Sequence, residues 1–215
     1  MDDRTLKTAI IDELDWRPSV NAKDIAIGAD GGVVTLSGHV GSYAEKFDVE
    51  KAVKHIQGVK AIVDKLEVRL SGSGLLADDE IAKRVLQSLS WAATVPKDKV
   101  QVQVENGWVT LTGELEWQFQ STAASAAVRN LLGVKGVSNQ ITLKAKPAPA
   151  DVKVRIEDAL RRSAELEAKE IRVAVFGNEV TLEGKVRSWY ERGRAEDAAW
   201  MAPGVRSVVD HLSVG

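Results

Sequence analysis

Val109-Thr110-Leu111-Thr112-Gly113-Glu114-Leu115 recurs twice more in the chain, as Val34-Thr35-Leu36-Ser37-Gly38-His39-Val40 and as Val180-Thr181-Leu182-Glu183-Gly184-Lys185-Val186. With Gly38, Gly113 and Gly184 in register, the flanking sequence aligns without a gap. Ile25, Val100 and Ile171 precede the glycine, and Ala52, Ala127 and Ala198 follow it. Then come Gly58-Val59, Gly133-Val134 and Gly204-Val205, and finally Asp64, Asn139 and Asp210. Coincidence at so many positions marks an internal repeat. The 215 residues are therefore expected to form three small domains, 1–70, 77–146 and 151–215.

Each repeat reads as helix, strand, strand, helix, strand. Leu6, Ile10 and Leu14 recur every fourth residue, as do Ile81, Val85, Leu89 and Val152, Ile156, Leu160, so each set makes one apolar helical stripe. Asp3 and Asp78 are expected to cap the first two of these helices. Alternating runs follow (Ile25/Ile27, Val100/Val102/Val104, Ile171/Val173/Val175), each ending in a Gly or Asn dipeptide suited to a tight hairpin. Ser42-x-x-Glu45 and Ser188-x-x-Glu191 match the capping box that opens a helix, whereas the second repeat has Trp117 and Gln120 there. The second helix is expected to run to the Gly-Val pair. The last strand alternates with an irregularity after its first member, as in Ile62, Leu66, Val68. Apolar residues on one strand face and polar ones on the other predict an α+β fold of three tandem αββαβ modules, each a three-stranded sheet with two helices on one face. Cores this small are marginal, so the modules are expected to pack on each other or on a partner. Of the linkers, Ser71-Gly72-Ser73-Gly74 is expected to be flexible and Ala145–Ala150, with alternating Pro and Ala, stiffer.

This order of motifs resembles the BON domain (bacterial OsmY and nodulation), and the resemblance covers essentially the whole chain as three copies. It implies the αββαβ fold and a non-catalytic role. It also implies the settings in which such domains occur: osmotic stress, outer-membrane lipoproteins, secretion and transport-associated proteins, with phospholipid binding proposed for the domain. Its glycines, here Gly38, Gly113, Gly184, Gly58, Gly133 and Gly204, have a structural part, and no catalytic residue carries over.

The residues themselves agree with that absence of chemistry. There is no cysteine, hence no thiolate or zinc–thiolate site. His39, His55 and His211 have no shared partner, and no zinc-protease, nucleophile-elbow or phosphate-loop motif occurs. No catalytic residue, metal or cofactor is expected. Net charge is −2, divided among the repeats as −2, +1 and −1, and no Gly-x-x-Gly clamp joins two helices, so nucleic acid is not an expected partner. No apolar run reaches the roughly 20 residues of a membrane span. Met1-Asp2-Asp3-Arg4 lacks the basic and apolar regions of a secretory leader, which places the chain as written in the cytoplasm, or in the periplasm if a leader has been removed.

The six tryptophans are the functional signal. Trp108 falls on the polar sheet face, Trp117 on a capping position, Trp189 at the start of a helix with Tyr190 after it, and Trp200 on an exposed helix face. Trp16 and Trp91 align at the end of the first helix and are expected to be packed there. Aromatics gather between strand two and helix two: Tyr43 and Phe47, Trp117 and Phe119, Trp189 and Tyr190. Rings at such an edge suit a phospholipid headgroup region, a protein interface, or contacts between modules. Arg187, Arg192 and Arg194 beside Trp189 favour an anionic partner. The expected function is a stress-related adaptor that associates with phospholipid membranes, the alternative a protein-binding or chaperone-like scaffold. The oligomeric state is left open.

Overall fold

The computed structural model describes residues 2–70, 72, 76–144, 151–163 and 170–215. Apart from Gly72, the two linkers lie outside the described residues. In chain order the elements are α1 (Asp3–Asp15), β1 (Ile25–Asp30), β2 (Val33–Val40), α2 (Tyr43–Lys54) and β3 (Ala61–Val68). Module two repeats them as α3 (Asp78–Trp91), β4 (Val100–Glu105), β5 (Trp108–Leu115), α4 (Gln118–Arg129) and β6 (Gly136–Leu143). Module three has α5 (Val152–Arg162), β7 (Ile171–Phe176), β8 (Glu179–Val186), α6 (Trp189–Trp200) and β9 (Ser207–Val214).

The described residues form three sheets of three strands, each with its second strand in the centre. The first pair in each is an antiparallel hairpin. The second pair is parallel, which requires a long crossover, and α2, α4 and α6 supply it. The predicted stripes form the cores: Leu6, Ile10 and Leu14 bury against Val34, Leu36 and Val49, with corresponding clusters around Ile81 and Ile156. Each such side chain contributes about 1.5–3 kcal/mol by leaving water.

The repeat glycines are explained by backbone approach. Gly38, Gly113 and Gly184 have φ of 119°, 136° and 131°. A Cβ there would lie 2.0, 2.1 and 1.9 Å from the carbonyl oxygens of Asp24, Lys99 and Glu170. No side chain fits.

Three local expectations are corrected. Asp3 and Asp78 do not cap. Asp2 caps α1, its carboxylate accepting from Thr5 N at 2.7 Å, and Ala77 occupies the α3 cap. Asp3 and Asp78 instead tie the first helix to the hairpin turn. Asp3 accepts from Gly31 N and Gly32 N at 3.0 and 3.3 Å, and Asp78 from Asn106 N and Gly107 N at 2.7 and 2.9 Å. The second helices stop at Lys54, Arg129 and Trp200, short of the Gly-Val pair, whose glycines lie at φ of 92°, 94° and 84° in the turn beyond. The irregularity in the third strand is chemical, because pairing with β2 runs unbroken from Ala61 to Val68. What interrupts the apolar stripe is Asp64.

Candidate functional site

Asp64, Asn139 and Asp210 latch the third strand to the second helix. Asp64 Oδ1 accepts from Leu66 N at 2.8 Å, and its Oδ2 pairs with Lys46 Nζ at 2.7 Å. Asp210 likewise accepts from Leu212 N at 2.8 Å and pairs with Arg192 Nε at 2.5 Å. Asn139 accepts from Ile141 N at 3.1 Å and donates from Nδ2 to Ser121 Oγ at 2.8 Å. Lys46, Ser121 and Arg192 occupy one repeat position. Sequence reading missed it because the three residues share no chemistry; only their register with the Asp/Asn position identifies it.

The capping boxes place the edge aromatics. Ser42 Oγ accepts from Glu45 N at 3.1 Å while Glu45 accepts from Gly41 N at 2.8 Å, and Ser188 and Glu191 repeat this with Arg187 N. In module two Gln120 Oε1 takes the N–H groups of Glu116 and Trp117, each at 3.2 Å. The caps fix the first residues of α2 and α6, Tyr43 and Trp189, and both reach neighbouring modules. Tyr43 packs against the core of module two. Trp189 packs against that of module one, its indole Nε1 buried with no hydrogen-bond partner among the described residues. Tyr190 lies on His55 with ring centroids 4.7 Å apart, and the Arg129 guanidinium sits 3.2 Å from the centre of the Phe47 ring. A groove of about 300 Å³ runs between α2 and α6, lined by Phe47, Lys54, His55, Trp189, Tyr190 and Gly193, among others.

Charge at this junction is internally matched. Arg187 pairs with the buried Glu191 at 2.8 Å, Arg192 with Asp210, and Arg194 with Asp197 at 3.4 Å; Arg192 also lies 4.7 Å over the Trp189 ring. The arginines beside Trp189 are therefore engaged with carboxylates rather than gathered for an outside anion. Burial raises the Glu50 carboxyl, and Asp64 adds to the rise against the pull of Lys54. Burial also raises Glu196, which accepts from the Trp200 indole and faces Asp210 and Asp197, with Arg192 opposing. Burial lowers Arg129, with Tyr43, Asp48 and Glu50 opposing.

Tyr43, Trp189 and Tyr190 thus come together with the neighbouring modules, while the remaining candidates do not join them. Trp117 is half-buried. Trp200 is half-buried against its own core and not on an exposed face, and its indole donates to Glu196. Trp108 is 56% exposed on the outer sheet face. Its ring covers Gly136, its partner across the strands, where a Cβ would meet the indole. Phe119 is 57% exposed. The largest departure is at the first helices. Trp16 and Trp91 are not packed but 83% and 74% exposed, because the apolar stripe ends at Leu14 and Leu89 and the next positions turn to solvent. Among the described residues no group of His, Cys, Asp and Glu could hold a metal, and no helix is long and apolar enough to cross a membrane.

The folds, latches and glycines define a two-layer module repeated three times among the described residues. The BON domain family matches residues 2–69, 77–145 and 150–215, and the chain belongs to it. The "Osmotically-inducible protein Y" of Escherichia coli (strain K12) is 32% identical over 148 residues, covering 67% of this chain and 74% of that protein. Among solved structures, CdsD, a structural protein of the type III secretion system of Chlamydia trachomatis, is 17% identical. That comparison covers 98% of this chain and 92% of the other, with a TM-score of 0.27. Its C-terminal domain gives 17% identity, full coverage of both chains and a TM-score of 0.26. Likeness at that level bears on neither arrangement nor function.

Proposed function

We propose that this chain is a non-catalytic adaptor of the osmotic-stress response that associates with phospholipid surfaces, and that Trp16 and Trp91 make the contact. The observation that carries the reading is their exposure, 83% and 74%, at the same repeat position in two modules. An indole held in water at the end of a rigid helix is costly. At a headgroup layer its apolar body is buried and its N–H stays wet. The third copy of this position is Arg162, a cation suited to an anionic headgroup. Likeness to an osmotically inducible protein supports the stress setting. The raised carboxyls, Glu50 and Glu196, are explained by burial with the latch residues Asp64 and Asp210 beside them, a structural cause that supports a role without catalysis.

Flotation with anionic and with zwitterionic vesicles tests this. Wild-type protein is expected to float with anionic vesicles. The W16A/W91A double variant should bind at least about tenfold more weakly, since each indole contributes about 1–2 kcal/mol. Absence of flotation with every lipid composition removes the reading. Trp108, exposed on the outer sheet face, favours a second one, in which the chain binds protein without touching lipid. A co-purifying protein that is released by W108A, with no flotation, would select it.

A further inference from the structure

The two hairpin turns tied by Asp3 and Asp78 hold the two pairs of this chain most prone to form a succinimide. Asn106-Gly107 is its one Asn-Gly sequence and Asp30-Gly31 its one Asp-Gly sequence. Asn106 and Gly107 make the turn between β4 and β5, since Glu105 pairs with Trp108. Asp30 ends β1, with Gly31 and Gly32 between it and its partner Val33. Both Asn106 and Asp30 are exposed. In such a pair the glycine has no side chain to shield its backbone nitrogen, which attacks the side-chain carbonyl carbon of the residue before it. At Asn106 the Gly107 nitrogen gives up its proton and bonds to Cγ, and the amide nitrogen leaves as ammonia. Water then opens the ring at either carbonyl, leaving aspartate or isoaspartate. At Asp30 the Gly31 nitrogen displaces water from the protonated carboxyl, and rehydration returns aspartate or isoaspartate.

In both turns the nitrogen that must attack is one that a helix-start carboxylate holds. Gly107 N donates to Asp78 Oδ1 at 2.9 Å, and Gly31 N donates to Asp3 Oδ2 at 3.0 Å. A full negative charge at that distance opposes loss of the N–H proton, and the charge-assisted bond keeps the N–H turned toward the helix. Each carboxylate also takes the other N–H of its turn, Asn106 N at 2.7 Å and Gly32 N at 3.3 Å. It therefore covers a prone residue standing either before the turn or first in it. Module three differs in both respects. Its turn reads Phe176-Gly177-Asn178-Glu179, with neither prone pair, and Pro149 stands at the position of Asp3 and Asp78.

We propose that Asn106 and Asp30 are modification sites of this chain, for deamidation and isomerisation respectively, and that Asp78 and Asp3 hold the reactions back. The test incubates the folded full chain, at mildly alkaline pH for Asn106 and mildly acidic pH for Asp30. Peptide mass spectrometry reads deamidation, and labelling by an isoaspartyl methyltransferase reads isomerisation. Asp78→Ala should deamidate at Asn106 at least about tenfold faster than wild type, the equivalent of one lost charge-assisted hydrogen bond. Asp3→Ala should accumulate isoaspartate at Asp30 and leave Asn106 as in wild type. Val128→Ala, which weakens module two from its buried core, separates protection by Asp78 from loosening of the fold, and should react more slowly than Asp78→Ala. Unfolded in denaturant, wild type and Asp78→Ala should react alike. The proposal is overturned by Asp78→Ala reacting no faster than wild type or at another asparagine, by Val128→Ala matching it, or by a difference that persists in denaturant.

Discussion

Tyr190 lies across His55 at 4.7 Å, so the second helix of the last module begins where that of the first module ends. Beside it Trp189 reaches the core of module one. Trp189→Ala is expected to uncouple the two modules, at a cost of about 2 kcal/mol for the lost burial. Denaturant unfolding checks the energy. Small-angle scattering should show a larger radius of gyration.

Asp210 joins Leu212 N and Arg192 through its two oxygens. Asp210→Ala should destabilise module three by about 2–3 kcal/mol, leaving a cation and an amide without their acceptor. Asp210→Asn should cost less, since an amide oxygen still receives Leu212 N, as Asn139 receives Ile141 N in module two. Thermal denaturation of the two variants orders them.

Gly113→Ala sets a methyl 2.1 Å from the Lys99 carbonyl at a φ of 136°. The strain is expected to cost about 3 kcal/mol, more than any exposed substitution on the same strand. Gly193, where a Cβ meets nothing within 4 Å, is the control.

Burial raises the Glu196 carboxyl, with Asp210 and Asp197 facing it. The folded state therefore holds its proton more tightly than the unfolded chain does. Its contribution is fully present below the ordinary carboxyl range and is lost as pH rises through the raised value. Glu196→Gln, which keeps an acceptor for Trp200, should be more stable than wild type at neutral pH. The difference should fade as pH falls below the ordinary glutamate range, measured by denaturation at several pH values.

The layers, strand pairing and repeat glycines were legible because they rest on periodicity and on the absence of a Cβ. The latch partners Lys46, Ser121 and Arg192 were not, since a cation pairs with the carboxylate in two modules while a hydroxyl accepts from the amide in the third, and no single residue type marks the position. Asp3 and Asp78 were misassigned because a carboxylate at a helix start has two sets of N–H groups within reach, those of its own first turn and those of the hairpin. Among the aromatics, Trp108 is exposed on the polar sheet face as read, and contacts between modules were one of the readings for the edge rings. Trp16 and Trp91, however, stand in solvent and Trp200 lies against its core, the opposite of the division expected for them. Periodicity within one module cannot report that Trp189 packs on another module, nor that the stripe stops two residues short of Trp16 and Trp91.

That division can be read directly with vesicles containing brominated lipid, which quench only indoles within the bilayer interface. The account predicts quenching of wild-type tryptophan fluorescence that is lost in W16F/W91F and kept in W189F. Quenching retained by W16F/W91F, or abolished by W189F, would contradict it.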